Sequence, residues 1–477
     1  MSGITITSVY PILSADIVYD NVDDIPRATV INDREDDDNE SGSDHSNSSW
    51  ESVKRYSLLA LHYLYQKSRN LIGVLVVCAM IFVTRKMRML RTQDKGLGLY
   101  WKPSATDLRG EKFDDYFGAA ISLSNDGNFV TVMSVSVKYM YSLSENGTTW
   151  TKVGKNLDKL CNISEKPSPD HEFGYDLVTS SDGKRVVVGY AFDTFGSAIL
   201  ATLNEETQEW KIAFNFTGEN STDGFGSVIG ISNDGQKIVV APVLERYISI
   251  YKEYGNNASQ WNKTIFYLEE DEILRSTKTR FMDLSGDGKR IAVGSLSGVK
   301  VLHEDDQGNW VQLGQRIYGD SIGNGFGECV TLSLDGNILA VGAPGITFGY
   351  VDIFKYSAKD NKWKRFGNRI LGKAEGGDRI GFSLSISSDG HRLATGAFGG
   401  GPRQKVGYVG IFEYAQDTQT WMQIGEYIDG ESPGDWFGYR VKLSSNGNRV
   451  GASAILAKGN EHANAGVVRF FDVVPIN

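Results

Sequence analysis

From residue 98 onward the chain is written in short apolar–polar alternations, each cut off by a turn signal. Residues 326–370 show the unit: FGECVTLSLDGNILAVGAPGITFGYVDIFKYSAKDNKWKRFGNRI. Val330 and Leu332 alternate with polar neighbours, the period of a half-buried strand. Asp335-Gly336 then supplies the positive φ of a tight hairpin. Ile338–Gly342 reads as the returning apolar strand. Gly349–Tyr356 reads as a third, with Val351 and Ile353 on one face, and Trp363–Ile370 as a fourth.

The unit recurs. Asp-Gly stands at 126–127, 182–183, 234–235, 287–288, 335–336 and 389–390, and Asn446-Gly447 makes a seventh. Seven of the nine tryptophans hold a second, independent mark: Trp101, Trp150, Trp210, Trp261, Trp310, Trp363 and Trp421. Two unrelated residue types with one period and one count identify a repeat. Seven units of four short antiparallel strands predict an all-β fold, a seven-bladed β-propeller over residues 98–477. The phase of the marks predicts how it closes. Trp101 precedes the first Asp-Gly, and the last unit ends on a third-strand pattern, Ala465–Asp472, with no tryptophan after it. The strand near Leu99–Pro103 is therefore expected to complete the C-terminal blade and remove the open sheet edges.

Another pattern precedes the repeat. Residues 71–84, LIGVLVVCAMIFVT, carry no charge and lie in a basic-flanked segment, 54–95. As a helix they would measure about 21 Å against a hydrocarbon core of about 30 Å, a gap that snorkelling bases and local thinning close in part. They read as a single transmembrane helix, the chain's contact with a membrane. Charge then divides the chain. Residues 1–53 hold twelve acids and two bases, so the whole net charge of −10 sits there, while the remainder carries 47 of each sign. Such a tail buries too little apolar surface to repay its ordering and is expected to be disordered. The neutral body excludes a general nucleic-acid binder.

Two signals compete over orientation. Five bases follow the span closely (Arg85, Lys86, Arg88, Arg91 and Lys95) against two before it, which favours a cytosolic body. Six N-x-S/T glycosylation signals, at Asn146, Asn162, Asn215, Asn220, Asn257 and Asn262, favour the opposite. An acidic tail kept in the cytosol agrees with the second arrangement, and the propeller is expected on the lumenal or extracellular side.

The units resemble FG-GAP repeats, the seven-bladed propeller family typified by integrin α-subunits. Phe-Gly at 117–118, 173–174, 225–226, 326–327 and 437–438 carries the resemblance, with Ile380-Gly381 as a variant and Gly342-Ala343-Pro344 as the second element. The fourth unit departs from it, with Phe281-Met282. The resemblance implies a propeller and a binding role. It implies calcium only where a loop has the form D-x-D/N-x-D-G-x-x-D. Loops here, such as SSDGKRV and SGDGKRI, supply one aspartate each, too few oxygen ligands for a hard cation. They read as hairpin turns. No metal and no cofactor is expected.

A catalytic reading finds little. None of the six histidines stands in a paired-ligand spacing, and no nucleophile elbow, Walker loop or dinucleotide glycine set occurs between a strand and a helix. Glu145–Trp150 resembles the Asp-box turn of sialidase-type propellers but lacks its serine and aspartate. Asp115, Asp223, Asp378 and Asp435 recur at one position before Phe-Gly, which points to capping or blade pairing. No catalytic residue is expected. The connections between second and third strands vary most, as binding loops do. Arg403, Lys405, Lys458 and His462 in the last two of them are the candidate contact residues. The expected function is that of a non-enzymatic binding or adhesion-type propeller, anchored by one helix, with a protein or glycan ligand. A cytosol-facing membrane scaffold for protein–protein interaction and a carbohydrate-active enzyme are the alternatives.

Overall fold

Each Asp-Gly pair closes a hairpin in the same way. In the first, the Ser124 hydroxyl donates to Asp126 Oδ1 (2.6 Å), and that oxygen accepts the Asn128 amide (2.9 Å). The Ser124 Oγ in turn accepts the Phe129 amide (2.9 Å). The glycine sits at positive φ, between 65° and 73° in all seven turns. The seventh turn uses Asn446 Oδ1 for the same contacts, at 2.7 Å from Ser444 Oγ and 2.9 Å from the Asn448 amide. A side chain that mimics a backbone turn is what Asx residues supply.

The computed structural model describes residues 98–477 apart from 135–136, 156, 161–174, 192–195, 220–223, 243–244, 256–258, 269–281, 296–297, 346–348, 374–376, 400–405 and 476–477. The segment 71–84 and the tail 1–53 lie outside the described residues. Among the described residues no helix is long and apolar enough to cross a membrane.

The described chain is a propeller of seven antiparallel blades, each built on four strands. The innermost strands are Ala120–Leu123, Tyr175–Thr179, Val228–Ile231, Met282–Leu284, Cys329–Leu332, Ser383–Ile386 and Phe437–Leu443. Each packs against the next, and the last against the first, so the ring is closed. The closing strand is the expected one. Leu99–Pro103 pairs antiparallel with the end of the chain, Leu99 opposite Pro475 and Pro103 opposite Phe471. The seven repeat tryptophans all stand on fourth strands.

One strand differs from the sequence reading. The fourth strand of the fifth blade is Lys362–Arg365, and Ile370–Leu371 pairs separately with Tyr350–Val351. Gly367 breaks the run at φ 84°, where the Trp421 ring of the next blade would lie 2.7 Å from a Cβ. The sixth and seventh blades gain similar short strands at Ile428–Asp429 and Leu108–Arg109.

Three devices join neighbouring blades. The first is a ring of seven backbone hydrogen bonds, 2.8–3.3 Å, that links the hairpin turns head to tail through Asn125, Ser181, Asn233, Gly286–Asp287, Leu334, Ser388 and Ser445. The second stands three residues after each turn aspartate or asparagine. Phe129, Arg185, Lys237, Arg290, Ile338, Arg392 and Arg449 each cover the turn glycine of the following blade. Four of the bases also donate to that glycine's carbonyl, as Lys237 does to Gly288 at 2.7 Å and Arg449 to Gly127 at 2.9 Å. The third is main chain on main chain. A Cβ on Gly189, Gly294, Gly342 or Gly396 would lie 2.0–2.1 Å from the carbonyl oxygen of the Phe-Gly or Ile-Gly glycine in the next blade. Tryptophans add to this: the Trp363 and Trp421 indoles donate to Leu313 and Phe366 of the preceding blade, at 2.9 and 2.8 Å.

Two outcomes follow. Gly342→Ala places a methyl in the Gly381 carbonyl and should cost at least about 3 kcal/mol in chemical denaturation, against less than about 0.5 for Gly323→Ala, which meets open space. The turn carboxylates give a pH dependence. Burial alone would raise Asp126, Asp335 and Asp389, but the serine hydroxyls and following amides outweigh it and hold all three below the usual range. Their contribution is therefore present above the unfolded carboxylate pKa and lost as pH falls through the folded one. The triple variant D126N/D335N/D389N should keep the fold, as Asn446 does naturally, and flatten the acid limb of a plot of Tm against pH. An unchanged limb would refute this account.

Candidate functional site

The residue before Phe-Gly lies in the left-handed region wherever it is described. It is glycine in the third and fifth blades, Gly224 (φ 66°) and Gly325 (φ 65°). In the sixth, seventh and first blades, which are consecutive round the ring, it is Arg379 (φ 56°), Trp436 (φ 58°) and Tyr116 (φ 51°). A large side chain in this conformation costs about 1–2 kcal/mol that glycine would not. The same turn forms in all five cases, with the amide three residues on donating to the carbonyl of the strained residue, as Tyr439 does to Trp436 at 3.2 Å. Backbone geometry therefore does not explain the bulky choice.

These three side chains stand in one collar. Tyr116, Trp436, Phe382 and Leu456 pack on a buried nucleus of Phe398, Tyr439 and Ile455. Trp436 and Tyr439 stack, with ring centroids 6.1 Å apart at 22°. The Arg379 guanidinium lies 5.2 Å from the Phe398 ring and that of Arg440 lies 4.3 Å from Tyr439. Phe113, Tyr267, Tyr318 and Leu371, 61–72 % exposed, are spread over the connections that lead from one blade to the next in four different blades.

Beside the collar is a cleft of about 340 Å³ on the seventh blade. Arg109, Glu431, Asp435, Lys458, Asn460 and Arg469 line it. The loop 431–436 separates the two features and contributes to both. Asp435 is held above the ordinary carboxylate range, first by burial and then by the charge of Glu431. Arg109 pairs with Asp107 at 2.9 Å.

Of the four contact residues chosen from sequence, Lys458 lines this cleft and is exposed, and His462 is exposed on the same loop. Arg403 and Lys405 lie outside the described residues. The collar and Arg469 escaped the sequence reading. A comparison of the residues before Phe-Gly would have found Tyr116, Arg379 and Trp436, since glycine alternates with bulky residues there. Nothing local marks Arg469.

Two of the acids before Phe-Gly, Asp115 and Asp378, are structural. Asp115 is buried and accepts the Ser134 hydroxyl at 2.9 Å. Asp378 is buried and accepts the Tyr408 hydroxyl, which burial and that carboxylate hold well above the ordinary phenol range. Asp435 alone opens on the cleft, and Asp223 lies outside the described residues. Among the described residues no group of three or more metal-ligating side chains comes together. Three glycosylation signals are described. Asn146, Asn215 and Asn262 are all exposed, on the outer strands or outer turn of the first three blades.

The strain argument predicts the behaviour of Arg379→Gly. Its stability in urea should lie within about 1 kcal/mol of the parent or above it, because the lost ring contact is offset by relief of the left-handed arginine. A loss above about 2 kcal/mol would make Arg379 a packing residue.

No protein-family model and no curated protein sequence matches the chain. Solved structures do. The Cps50 (Swd1) β-propeller domain of Myceliophteria thermophila aligns at 10 % identity and a TM-score of 0.49, covering 79 % of this chain and all of that one. Hydrazine synthase of Kuenenia stuttgartiensis aligns at 15 % identity and 0.46, covering 73 % of this chain and 94 % of that one. The periplasmic gluconolactonase PpgL of Pseudomonas aeruginosa aligns at 13 % identity and 0.46, covering 66 % and 86 %. At these scores the matches carry no information on ligand or activity.

Proposed function

We propose that this chain is a non-enzymatic, adhesion-type binding propeller of the FG-GAP kind, anchored to a membrane by residues 71–84. The Phe-Gly face over blades six, seven and one is its contact surface, and the partner is a protein or a glycan. One observation carries the reading: three successive blades hold Arg379, Trp436 and Tyr116 in a backbone conformation that glycine adopts at no cost. Selection for stability alone would favour glycine there, as at Gly224 and Gly325. The half-exposed aromatic collar they build is the composition of interaction hot spots.

Exposed positions at Asn146, Asn215 and Asn262 support a glycoprotein with its propeller in the lumen or outside the cell. On that arrangement Asn215 and Asn262 lie on blades two and three, off the collar's blades, and Asn146 lies on blade one in the turn between its third and fourth strands, at the other end of the strands from Tyr116. A cytosol-facing scaffold would use the same collar without glycans, so sidedness separates the two.

Cells displaying the full chain should adhere to at least one member of a panel of immobilised matrix proteins and glycans. The variant Y116G/R379G/W436G should be displayed equally and lose that adhesion. Equal adhesion by both would remove the collar from the function. Sidedness is read on membranes carrying the full chain. A drop in apparent mass on N-glycan removal, with the propeller protected from added protease, is the expected result. No drop and a degraded propeller would assign the cytosolic alternative.

A further inference from the structure

Arg469 stands on the third strand of the seventh blade, opposite Ala452, and its side chain is only 20 % exposed. Its guanidinium lies over the Phe437 and Phe471 rings, 5.9 and 5.3 Å from their centroids. It carries five N–H donors in a rigid fork. Its charge partners are Asp107 at 3.7 Å and Glu431 at 3.5 Å, beyond good hydrogen-bond length. Its buried Nε has no hydrogen-bond partner among the described residues.

Two other arginines of the propeller are better served. Arg449 holds Asp472 through two bonds of 2.7 and 2.8 Å, and Arg365 holds Asp352 through two of 3.1 and 2.9 Å. A buried guanidinium nitrogen without a hydrogen bond is costly. The same side chain lines the cleft of about 340 Å³, near the small end of ligand sites.

The rest of the lining specifies the ligand. Arg109 is held by Asp107, and its second terminal nitrogen reaches the Lys458 carbonyl at 3.5 Å. The Lys458 side chain is exposed at the rim. Three cations thus face the cleft, and a planar fork matches a planar carboxylate. Glu431, beside Arg469, and Asp435 also line the cleft; they would repel a compact dianion such as phosphate, while they can accept hydrogen bonds from hydroxyls.

We propose that this cleft binds a carboxylate carried on a molecule of monosaccharide size. The Arg469 fork is the carboxylate's partner, Arg109 and Lys458 flank it, and Glu431, Asp435 and Asn460 meet the ligand's hydroxyls. The proposal names a ligand class for the binding face described above and rests on that reading for the face, though not for the collar. The acid could be a free sugar acid or the terminal acidic sugar of a glycan; the chemistry is shared.

The test is a titration of the detergent-solubilised full chain, read as a thermal shift and by calorimetry. The probes are sodium glucuronate, a glucuronate-terminated disaccharide, glucose, and sodium chloride at matched ionic strength. Glucuronate should raise Tm saturably, and glucose and chloride should not. Arg469→Met keeps the apolar stem over Phe437 and Phe471 but removes the fork, and Arg469→Lys keeps the charge alone. Both should bind glucuronate at least about tenfold more weakly. Tighter binding of the disaccharide than of the free acid assigns a glycan end, and the reverse assigns a free acid. Glucuronate no better than chloride, or either variant equal to the parent, overturns the proposal. The collar variants leave these residues untouched, so a failure here and a failure of adhesion are separate results.

Discussion

Between blades the main chain lies directly on the main chain. At four seams a strand glycine faces the carbonyl of the next blade's Phe-Gly or Ile-Gly glycine, with no room for one methyl. This contact fixes how close two sheets can come and therefore how many of them complete a circle. At these four seams the turn-to-turn hydrogen bonds and the side chains lying over turn glycines work across the same short gap. At the seam between the last and first blades, which lacks the glycine pair, Ser453 takes the place of the strand glycine, and its Cβ lies 2.7 Å from where a Gly118 Cβ would stand.

The charges at these joints are placed where solvent is partly excluded. Lys237 pairs with Glu304 across a seam at 2.7 Å, with both side chains less than a fifth exposed. Such a pair holds register more than it adds stability, because desolvation cancels much of the attraction. The exposed ion pairs, such as Lys184 with Glu205, add little. The disc is thus joined by shape and backbone, with charge as a guide to alignment. Its neutral balance of acids and bases follows from this use of charge in pairs.

The architecture was legible because it repeats. Asp-Gly, Phe-Gly and tryptophan each mark one position in a unit, and the phase of the tryptophans points to the closing strand. What stayed hidden depends on residues some fifty positions away. Arg185, Lys237 and Arg392 give no sign of their partners in sequence; in the structure each seals the turn of the neighbouring blade. The break at Gly367 comes from Trp421, a unit further on. Arg469 reads as an ordinary strand residue until Asp107, at the other end of the described chain, is seen to stop short of it. Lys458, singled out because it sits on a variable loop, lines the cleft; the collar's Tyr116 and Trp436 carry no catalytic or charged signature in sequence.

The pairing of Leu99–Pro103 with Phe471–Pro475 has a consequence in time. During synthesis the closing strand leaves the ribosome first among the propeller's elements, and its partner leaves last. At ordinary elongation rates that first strand waits for some tens of seconds without its neighbour, a short apolar ribbon with both edges open. Blades one to six can assemble in order behind it, but the circle stays a spiral until the final residues arrive. The strand's two lysine- and proline-bearing terminal positions, Lys102 and Pro103, are the kind of residues that discourage a waiting edge from pairing with the wrong chain. The residues that lock the ring are thus also dressed for the interval before it can be locked.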